Sequence, residues 1–424
     1  MKISRTVNVR PLTRVEGHGN IHIEIKDGKV RGARWEVVET PRFFEAMLVG
    51  KKWDNAPWIC GRICGICSIG HTLASIRAIE NAFGIVPTDQ TQKLRLVLKH
   101  METLQSHILH LYFLTAPDFL NAESVFPLIK SAPHVINRAA GLKQLANDAC
   151  DLIGGRRIHP TRTVVGGFTM LPDKKELETL RERLKAAMDD LSLTADTFRS
   201  FPIPDFARET EFVSLRSEGS YPFIGGDLLS TDGVRMKEKE YAKMTNEYTV
   251  KHSTAKWARL SRGSFAVGAL ARLNYNFEFL HPAARELSES FGLRPLNHNP
   301  FMNNIAQLVE CVHVTLDSIN MINEFLDSRW DEPRQPVKQR KGTGVGAVEV
   351  PRGILYHSYE FDRNGRIVRS DCVIPTGQNH GNIHYDITEL ASRYASGGMR
   401  DTDIELMAEM LVRSYDPCIS CSVH

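Results

Sequence analysis

Two Cys-x-x-Cys pairs lie near opposite ends of this 424-residue chain and constrain its fold more than any other feature. The first pair is Cys64 and Cys67. The second pair is Cys418 and Cys421, three residues before His424. A two-residue spacer lets both sulfurs of a pair turn towards one ion. Because chain ends normally fray, the placement of the second pair indicates that a metal ties this end down.

The residue types leave the identity of the metal open. Ligation by thiolates alone selects soft metals, which include zinc, iron–sulfur clusters, copper(I) and nickel. Structural zinc modules usually pair their Cys-x-x-Cys elements within about 12–20 residues. The spacing here is far wider, so a structural zinc site and a cluster or catalytic metal both remain as interpretations.

The composition narrows the class of protein. Fifty-three basic against fifty acidic residues give a net charge of +3, too near neutral to indicate a nucleic-acid or anionic-membrane partner. No apolar run reaches the roughly 20 residues of a membrane span, and the N-terminus does not begin a signal peptide. We therefore expect a cytoplasmic chain in which the remaining cysteines are buried apolar residues: Cys60, Cys150, Cys311 and Cys372.

The apolar periodicity predicts a mainly α chain of the α+β class, with a core of long helices. The predicted helices cover residues 66–83, 91–115, 134–153, 173–199 and 302–327, with a last helix that begins at Thr402 in a capping box with Glu405. An N-terminal hairpin is predicted over residues 20–38, and C-terminal strands over residues 353–374. Without an internal repeat or linker, residues 1–424 are expected to form a single domain.

Five sequence segments resemble the large subunits of nickel–iron hydrogenases. They occur in the family's order and span most of the chain: residues 14–18, 62–71, 351–353, 375–376 and 416–424. Three segments are similar to the cytoplasmic, multimeric branch, which includes NAD(P)-linked enzymes and sulfhydrogenases: residues 41–45, 105–107 and 418–424. The resemblance implies a hydrogenase-like fold and the reversible cleavage of H₂ to two protons and two electrons.

The resemblance also implies a ligand set for the cysteines. Cys64 and Cys418 would be terminal nickel ligands, while Cys67 and Cys421 would bridge nickel to an iron that carries carbon monoxide and two cyanides. The electrons would leave through iron–sulfur clusters on a small subunit, because this chain has too few spare cysteines to hold a relay. Further subunits would carry flavin or NAD(P) chemistry, and the electron acceptor is not readable from this chain.

Four residues acquire roles in proton handling through the same resemblance. Glu16 would be the first proton acceptor, and Cys418 would be a thiolate base. Arg352 would lie over the open site, either as a second base or as a fixed cation, with Asp416 orienting its guanidinium. Ser106 stands where some relatives have an aspartate, so Asp416 would be the only charged partner of Arg352.

Other residues would surround the metals. The resemblance places Pro351, Pro375 and Thr376 around the diatomic ligands of the iron, where a hydroxyl donates to a cyanide nitrogen. His71, four residues after Cys67, would hydrogen-bond to a bridging sulfur. The remaining histidines of interest are expected to be buried residues with ordinary partners: His107, His110 and His159.

A second metal site near the C-terminus is also implied. Glu45, His424 and the carbonyl of Cys372 would bind Mg²⁺ or Fe²⁺, and a chain that stops at His424 resembles the processed form. Two alternatives to the enzyme remain: a catalytically inactive or sensory homologue, and a structural zinc protein. Scaffold relatives without activity lack the cysteine pairs, which argues against the first alternative.

Overall fold

Three antiparallel strands form an N-terminal sheet in the computed structural model, which describes residues 4–27, 29–328 and 334–424. They are adjacent in chain order: Ser4–Val9, Gly19–Lys26 and Lys29–Val37. Ile21, Ile23 and Ile25 are buried and alternate with more exposed residues, as one buried sheet face requires. The predicted hairpin is confirmed, and Gly28 of its turn lies outside the described residues. The first strand was not predicted.

Long helices form the core. Their bounds are Ser68–Phe83, Asp89–Leu109, Pro133–Gly154, Lys174–Arg199, Asn303–Asp327, Pro375–Ser396 and Asp401–Ser414. All six predicted helices are present, in agreement with the mainly α class. The second one, predicted over residues 91–115, does not end there before Pro117. Its helical path continues through a wider turn, His110–Thr115, into Ala116–Phe119, because proline is tolerated in the first turn of a helical segment.

The two long helices nearest the C-terminus differ from expectation. Pro375–Ser396 was not predicted, because its first turns bury polar residues such as Gln378, Asn379 and His380 and show no apolar stripe. The last helix begins at Asp401, and its N-cap Arg400 makes no side-chain capping bond. The capping box from Thr402 is therefore wrong, since Thr402 already lies inside the helix.

A three-stranded antiparallel sheet packs on the first long helix. Its strands are Gly342–Val350, Gly353–Phe361 and Ile367–Val373. The second and third confirm the predicted strands, whereas the first was missed because glycines obscure its pattern. A Cβ on Gly344 or Gly346 would lie 2.1 Å from a carbonyl oxygen of Ala78 or Ala74. These glycines therefore allow the sheet to approach the helix closely.

Shorter elements complete the described structure. The short helices are Phe44–Leu48, Ala56–Cys60, Val125–Ser131, Tyr241–Thr245, Ala269–Asn276, Pro282–Ser290 and Ile419–Ser422. Smaller strands are Thr163–Val164, Gly167–Phe168, Glu211–Arg216, Asp227–Ser230, Arg235–Lys237 and Phe265–Ala266. In the described ranges, no helix is both long and apolar enough to cross a membrane. One continuous set of buried apolar side chains includes Val7 and Val423, so the two chain ends share a core.

Candidate metal centre

The two cysteine pairs meet in the core. Cys64 and Cys67 lie in the loop before the helix Ser68–Phe83, and Cys418 and Cys421 lie at the helix Ile419–Ser422. All four sulfurs are within 4.8 Å of one another and are buried. The sulfurs of Cys64 and Cys418 are 3.7 Å apart. We refer to these four side chains as the thiol cluster.

The spacing of the thiol cluster fits a metal ion. Four thiolates arranged tetrahedrally at about 2.3 Å from an ion have sulfurs about 3.8 Å apart. The separation of Cys64 and Cys418 matches this value. Cys418 and Cys421 are closer, at 2.7 Å. All four are free thiols rather than disulfides.

The electrostatics of the thiol cluster limit how many of its thiols ionise without a bound cation. Hydrogen bonds with Cys418 and Cys421 lower the pKa of Cys64 well below its ordinary value. The Cys64 sulfur further accepts the backbone N–H groups of Ile66 and Cys67, each at 3.2 Å. Interactions with the neighbouring thiols raise the pKa of Cys418. One ionised thiol thus suppresses ionisation of the others, unless bound positive charge compensates.

The N-terminal segment approaches the thiol cluster through its backbone. The N–H of Ile419 donates to the carbonyl of Glu16 at 2.9 Å. Gly17 follows with φ +85°, and a Cβ there would lie 2.8 Å from the Cβ of Ile419. Only glycine permits this approach without strain. The close contact with Ile419 therefore explains why glycine occupies position 17.

The carboxylate of Glu16 contacts the thiol cluster directly. Its Oε2 accepts the thiol of Cys418 at 3.1 Å and the N–H of Ser420 at 3.1 Å. Its Oε1 accepts the hydroxyl of Ser420. A carboxylate is thus in place to exchange a proton with the Cys418 sulfur. Ser420, which orients Glu16, was not singled out from the sequence.

Arg352 and Asp416 form a buried ion pair beside the thiol cluster. Arg352 is in the tight turn between two strands, where Val350 pairs with Gly353. Its Nη2 donates to Oδ1 of Asp416 at 2.7 Å, and its Nε donates to the Asp416 carbonyl at 2.6 Å. Asp416 has φ +50°, and with this backbone both of its acceptors face Arg352. Such left-handed conformations of non-glycine residues cluster at functional sites.

The third nitrogen of Arg352 contacts a serine. Nη1 donates to the hydroxyl of Ser106 at 3.3 Å, and Asp416 is the carboxylate that pairs with Arg352 in the described part of the chain. Burial opposes the positive charge, but Asp416 and Cys418 raise the pKa of Arg352 above its ordinary value. Gln307, which sequence reasoning missed, donates to the second oxygen of Asp416 at 3.2 Å. Polar residues on a buried helix face give no signal in a periodicity analysis.

Thr376 lies against the thiol cluster, whereas His71 has another partner. The hydroxyl oxygen of Thr376 accepts the N–H of Cys418 at 3.0 Å, and Pro375 starts the helix that carries it. Nδ1 of His71 is 3.1 Å from Nε2 of His357, which the sequence did not indicate. The hydrogen bond from His71 to a bridging sulfur stays a prediction.

The histidines expected to have ordinary partners have them. His107 contacts Glu310 at 2.7 Å. His110 contacts the amide oxygen of Gln307 at 2.6 Å. His159, which is half-buried, contacts the carbonyl of Gly61 at 2.8 Å.

The residues of the expected second site also lie together. Nε2 of His424 is 3.4 Å from Oε1 of Glu45, and the same oxygen accepts the N–H of Cys372 at 2.9 Å. Burial alone raises the pKa of Glu45, but the hydrogen bonds from His424 and Cys372 outweigh it and lower the pKa to about 2. Nδ1 of His424 is 3.1 Å from the carbonyl of Cys421, which connects this group to the thiol cluster.

The fold brings together a thiol cluster that could hold a metal ion, which defines the class of a candidate metalloprotein. Two family profiles match large parts of the chain. The one described as Nickel-dependent hydrogenase matches residues 42–140 and 230–424, and one described as HoxL-like matches residues 6–40. The chain belongs to the nickel-dependent hydrogenase family, in which it is a large, catalytic subunit. It is therefore an oxidoreductase.

Curated relatives and solved structures agree with this assignment. The alpha chain of sulfhydrogenase 1 from Pyrococcus furiosus is 35% identical over 99% of this chain and 97% of its own length. The alpha chain of sulfhydrogenase 2 from the same organism is 33% identical over 99% of this chain and 98% of its own. The structure of an NAD⁺-reducing [NiFe]-hydrogenase in the H₂-reduced state matches with a TM-score of 0.89, 26% identity and 99% coverage of both chains. A [NiFeSe]-hydrogenase of Dm. baculatum, at 22% identity and a TM-score of 0.78 over both full chains, shows the fold alone.

Proposed function

We propose that this chain cleaves H₂ reversibly into two protons and two electrons at a nickel–iron centre bound by Cys64, Cys67, Cys418 and Cys421. Cys64 and Cys418 would bind nickel alone, whereas Cys67 and Cys421 would bind both nickel and iron. One observation carries it: the four buried sulfurs lie within 4.8 Å of one another. When bound, the centre, with carbon monoxide and two cyanides on its iron, supplies the metals that split H₂ and take up its electron pair.

Cys418 and Glu16 handle the proton. A thiolate at Cys418 accepts the proton at Sγ, and Oε2 of Glu16 is 3.1 Å from that sulfur. Ser420 holds the carboxylate through its N–H and its hydroxyl, so the distance for transfer is fixed. A carboxylate at hydrogen-bond distance suits general acid–base catalysis.

Arg352 acts as a fixed cation rather than as a base. Its three guanidinium nitrogens all donate hydrogen bonds, two of them to Asp416, and an arginine so paired stays protonated. The charge stabilises anionic thiolates in a site from which water is excluded. Asp416 keeps the planar group in place. Pro351, Pro375 and Thr376 would line the diatomic ligands of the iron.

A second ion, Mg²⁺ or Fe²⁺, would bind between Glu45, His424 and the carbonyl of Cys372. A carboxylate that is ionised and a histidine ring nitrogen 3.4 Å away support this part of the proposal. Oxygen and imidazole donors suit these harder ions. The ion would hold the segment after Cys421 against the helix Phe44–Leu48.

The electrons would pass to a partner small subunit with iron–sulfur clusters. Within the described ranges, the thiol cluster is the one group of cysteines close enough together to hold a metal, so the relay would lie on another chain. The similar hydrogenases are themselves named as subunits, which supports further partners with flavin or NAD(P) chemistry. A cytoplasmic location and a single domain over residues 1–424 belong to the same proposal, supported by eight free cysteines and a shared core.

Metal analysis combined with a hydrogen assay tests the function. The enzyme purified with its co-purifying subunits should contain one nickel per chain, and should oxidise H₂ with a dye as electron acceptor. Infrared bands of carbon monoxide and cyanide should accompany the nickel. Zinc in place of nickel would make the thiol cluster a structural site. Nickel and iron without turnover would indicate an inactive or sensory homologue.

A further inference from the structure

Arg272 lies wholly buried in the helix Ala269–Asn276 and pairs with two acidic residues. Its Nε and Nη2 donate to the two oxygens of Glu310 at 2.6 and 2.7 Å. Its Nη1 donates to Glu349 at 2.9 Å. Burial opposes ionisation of Glu310, yet Arg272 holds the pKa of that carboxyl well below its ordinary value. Such a charge pair costs desolvation and is weak evidence for a purely stabilising role.

The same guanidinium also binds the turn that carries Arg352. Nη1 donates to the carbonyl of Val350 at 2.9 Å, and Nη2 donates to the carbonyl of Pro351 at 3.0 Å. These two carbonyls directly precede Arg352. The side chain of Arg272 thus fixes the backbone from which the guanidinium of Arg352 extends.

Glu310 is connected to Arg352 indirectly, through His107 and Ser106. Its carboxylate contacts Nε2 of His107 at 2.7 Å and accepts the hydroxyl of Tyr221 at 2.7 Å. His107 directly follows Ser106, whose hydroxyl accepts Nη1 of Arg352 at 3.3 Å. One buried ion pair therefore supports both the backbone of Arg352 and one of its side-chain partners.

We propose that Arg272 and Glu310 are positioning residues that hold Arg352 over the thiol cluster for hydrogen cleavage. The inference rests on the proposed role of Arg352 and extends it to the residues that hold Arg352 in place. Neither residue contacts the thiol cluster through any bond found in the described part of the chain. We therefore expect their effect on turnover to pass through the geometry of Arg352.

The decisive experiment is a double-mutant cycle in the metal-loaded enzyme, with its co-purifying subunits. Arg272→Lys keeps the charge and loses the planar fork. We expect kcat per nickel to fall by about ten- to a hundredfold, since a misplacement of about 1 Å costs up to that much, while the KM for H₂ changes little. In an Arg352→Lys background, the same substitution should have no further effect on kcat, because coupled residues are not additive.

A matched control is available in Arg95→Lys. Arg95 and Glu80 also form a buried bidentate pair, at 2.9 and 2.8 Å, which bonds to the carbonyl of Val164 instead of the Arg352 turn. We expect kcat per nickel in this variant to stay near that of the wild type. An equal loss in Arg95→Lys would overturn the inference, as would an Arg272→Lys effect that persists undiminished in the Arg352→Lys background.

Two further measurements keep the inference testable if the Arg272→Lys variant takes up little nickel. Tyr221→Phe and Glu310→Gln perturb the same pair with smaller changes, and both should lower kcat without loss of nickel. Hydrogen–deuterium exchange should rise in the peptide that spans residues 347–356 in these variants and not in Arg95→Lys. Unchanged exchange there would overturn the inference. Wild-type turnover in the single variant Arg352→Lys would instead overturn the proposed role of Arg352. The hydrogen–deuterium exchange result does not depend on that role.

Discussion

The thiol cluster and the Glu45–His424 group lie close together but differ in chemistry. The first consists of four soft donors that are all buried, with sulfurs within 4.8 Å of one another. The second combines a carboxylate and an imidazole, and the side chain of Glu45 is 29% exposed and 3.7 Å from Lys256. Soft and hard donors select different metals. We therefore propose that the two neighbouring groups bind two different kinds of ion.

The surroundings of the two groups separate their roles. Beside the thiol cluster lie Glu16, the proposed proton acceptor, and the guanidinium of Arg352, both held by hydrogen bonds. These groups act strongly because water is excluded there. The Glu45–His424 group is bonded to the backbone of Cys372 and Cys421, which suits an ion that holds segments together. Both groups carry metal donors, and the thiol cluster also has a carboxylate and a guanidinium placed for the proposed proton chemistry.

The largest effects should follow from removing any thiol of the cluster. Alanine at position 64, 67, 418 or 421 removes one of the four proposed ligands, and we expect activity to be abolished. The variants at Cys67 and Cys421 should also lose iron, because those thiols are proposed to bridge both metals. Metal analysis and a hydrogen-uptake assay check this. Cys150→Ala, which changes an equally buried cysteine outside the cluster, should keep nickel and turnover. Nickel-dependent turnover in any cluster variant would refute the ligand assignment.

Glu16→Gln should have the next largest effect. Glutamine keeps the shape and the hydrogen bonds with Ser420 but does not carry a proton at neutral pH. We expect isotope exchange between H₂ and D₂O to fall by about 10²–10⁴-fold, the usual contribution of a positioned acid or base, with metal content intact. Glu16→Asp retains a carboxyl and should recover part of the exchange. Exchange at the wild-type rate in Glu16→Gln would mean that protons leave by another route.

Arg352→Lys should lower turnover less than the loss of the proton acceptor. Lysine keeps the charge but loses the planar fork that Asp416 and Ser106 hold. We expect kcat per nickel to fall by about a hundredfold while nickel content and melting temperature change little. Kinetics and metal analysis of one preparation provide the measurement. Activity equal to that of the wild type would remove Arg352 from the site's chemistry.

Glu45→Gln should have the smallest effect on turnover and sharpens the comparison most. The neutral amide is a poor ligand for Mg²⁺ or Fe²⁺, so we expect loss of the second ion and a lower melting temperature. Turnover per nickel should fall by no more than about tenfold, because Glu45 makes no bond to the cluster sulfurs in the described structure. Lys256→Gln, which removes the ion pairs with Glu45 and Glu247 but no proposed ligand, should keep the ion. Retention of the ion in Glu45→Gln would refute the ligand role.

The sequence predicted the parts of the fold whose signals are local. Apolar periodicity found the long helices, and alternation found the N-terminal hairpin and the strands after Gly353. The helix Pro375–Ser396 was missed because its buried face is polar, and polar residues there are satisfied by distant partners. The capping box at Thr402 was wrong because a motif of four residues does not fix where a helix begins.

The candidate site divides in the same way. The sequence by itself determined the donor set, since cysteine spacing and the surrounding motifs are properties of residue type and order. Only the tertiary structure decided which groups act on those donors. The contacts of Glu16 with Ser420, of Asp416 with Gln307 and of Arg272 with the turn before Arg352 join residues far apart in the chain. These contacts form because the charged groups are buried, and a buried charge requires hydrogen-bond partners. Only the fold brings such partners within hydrogen-bond distance.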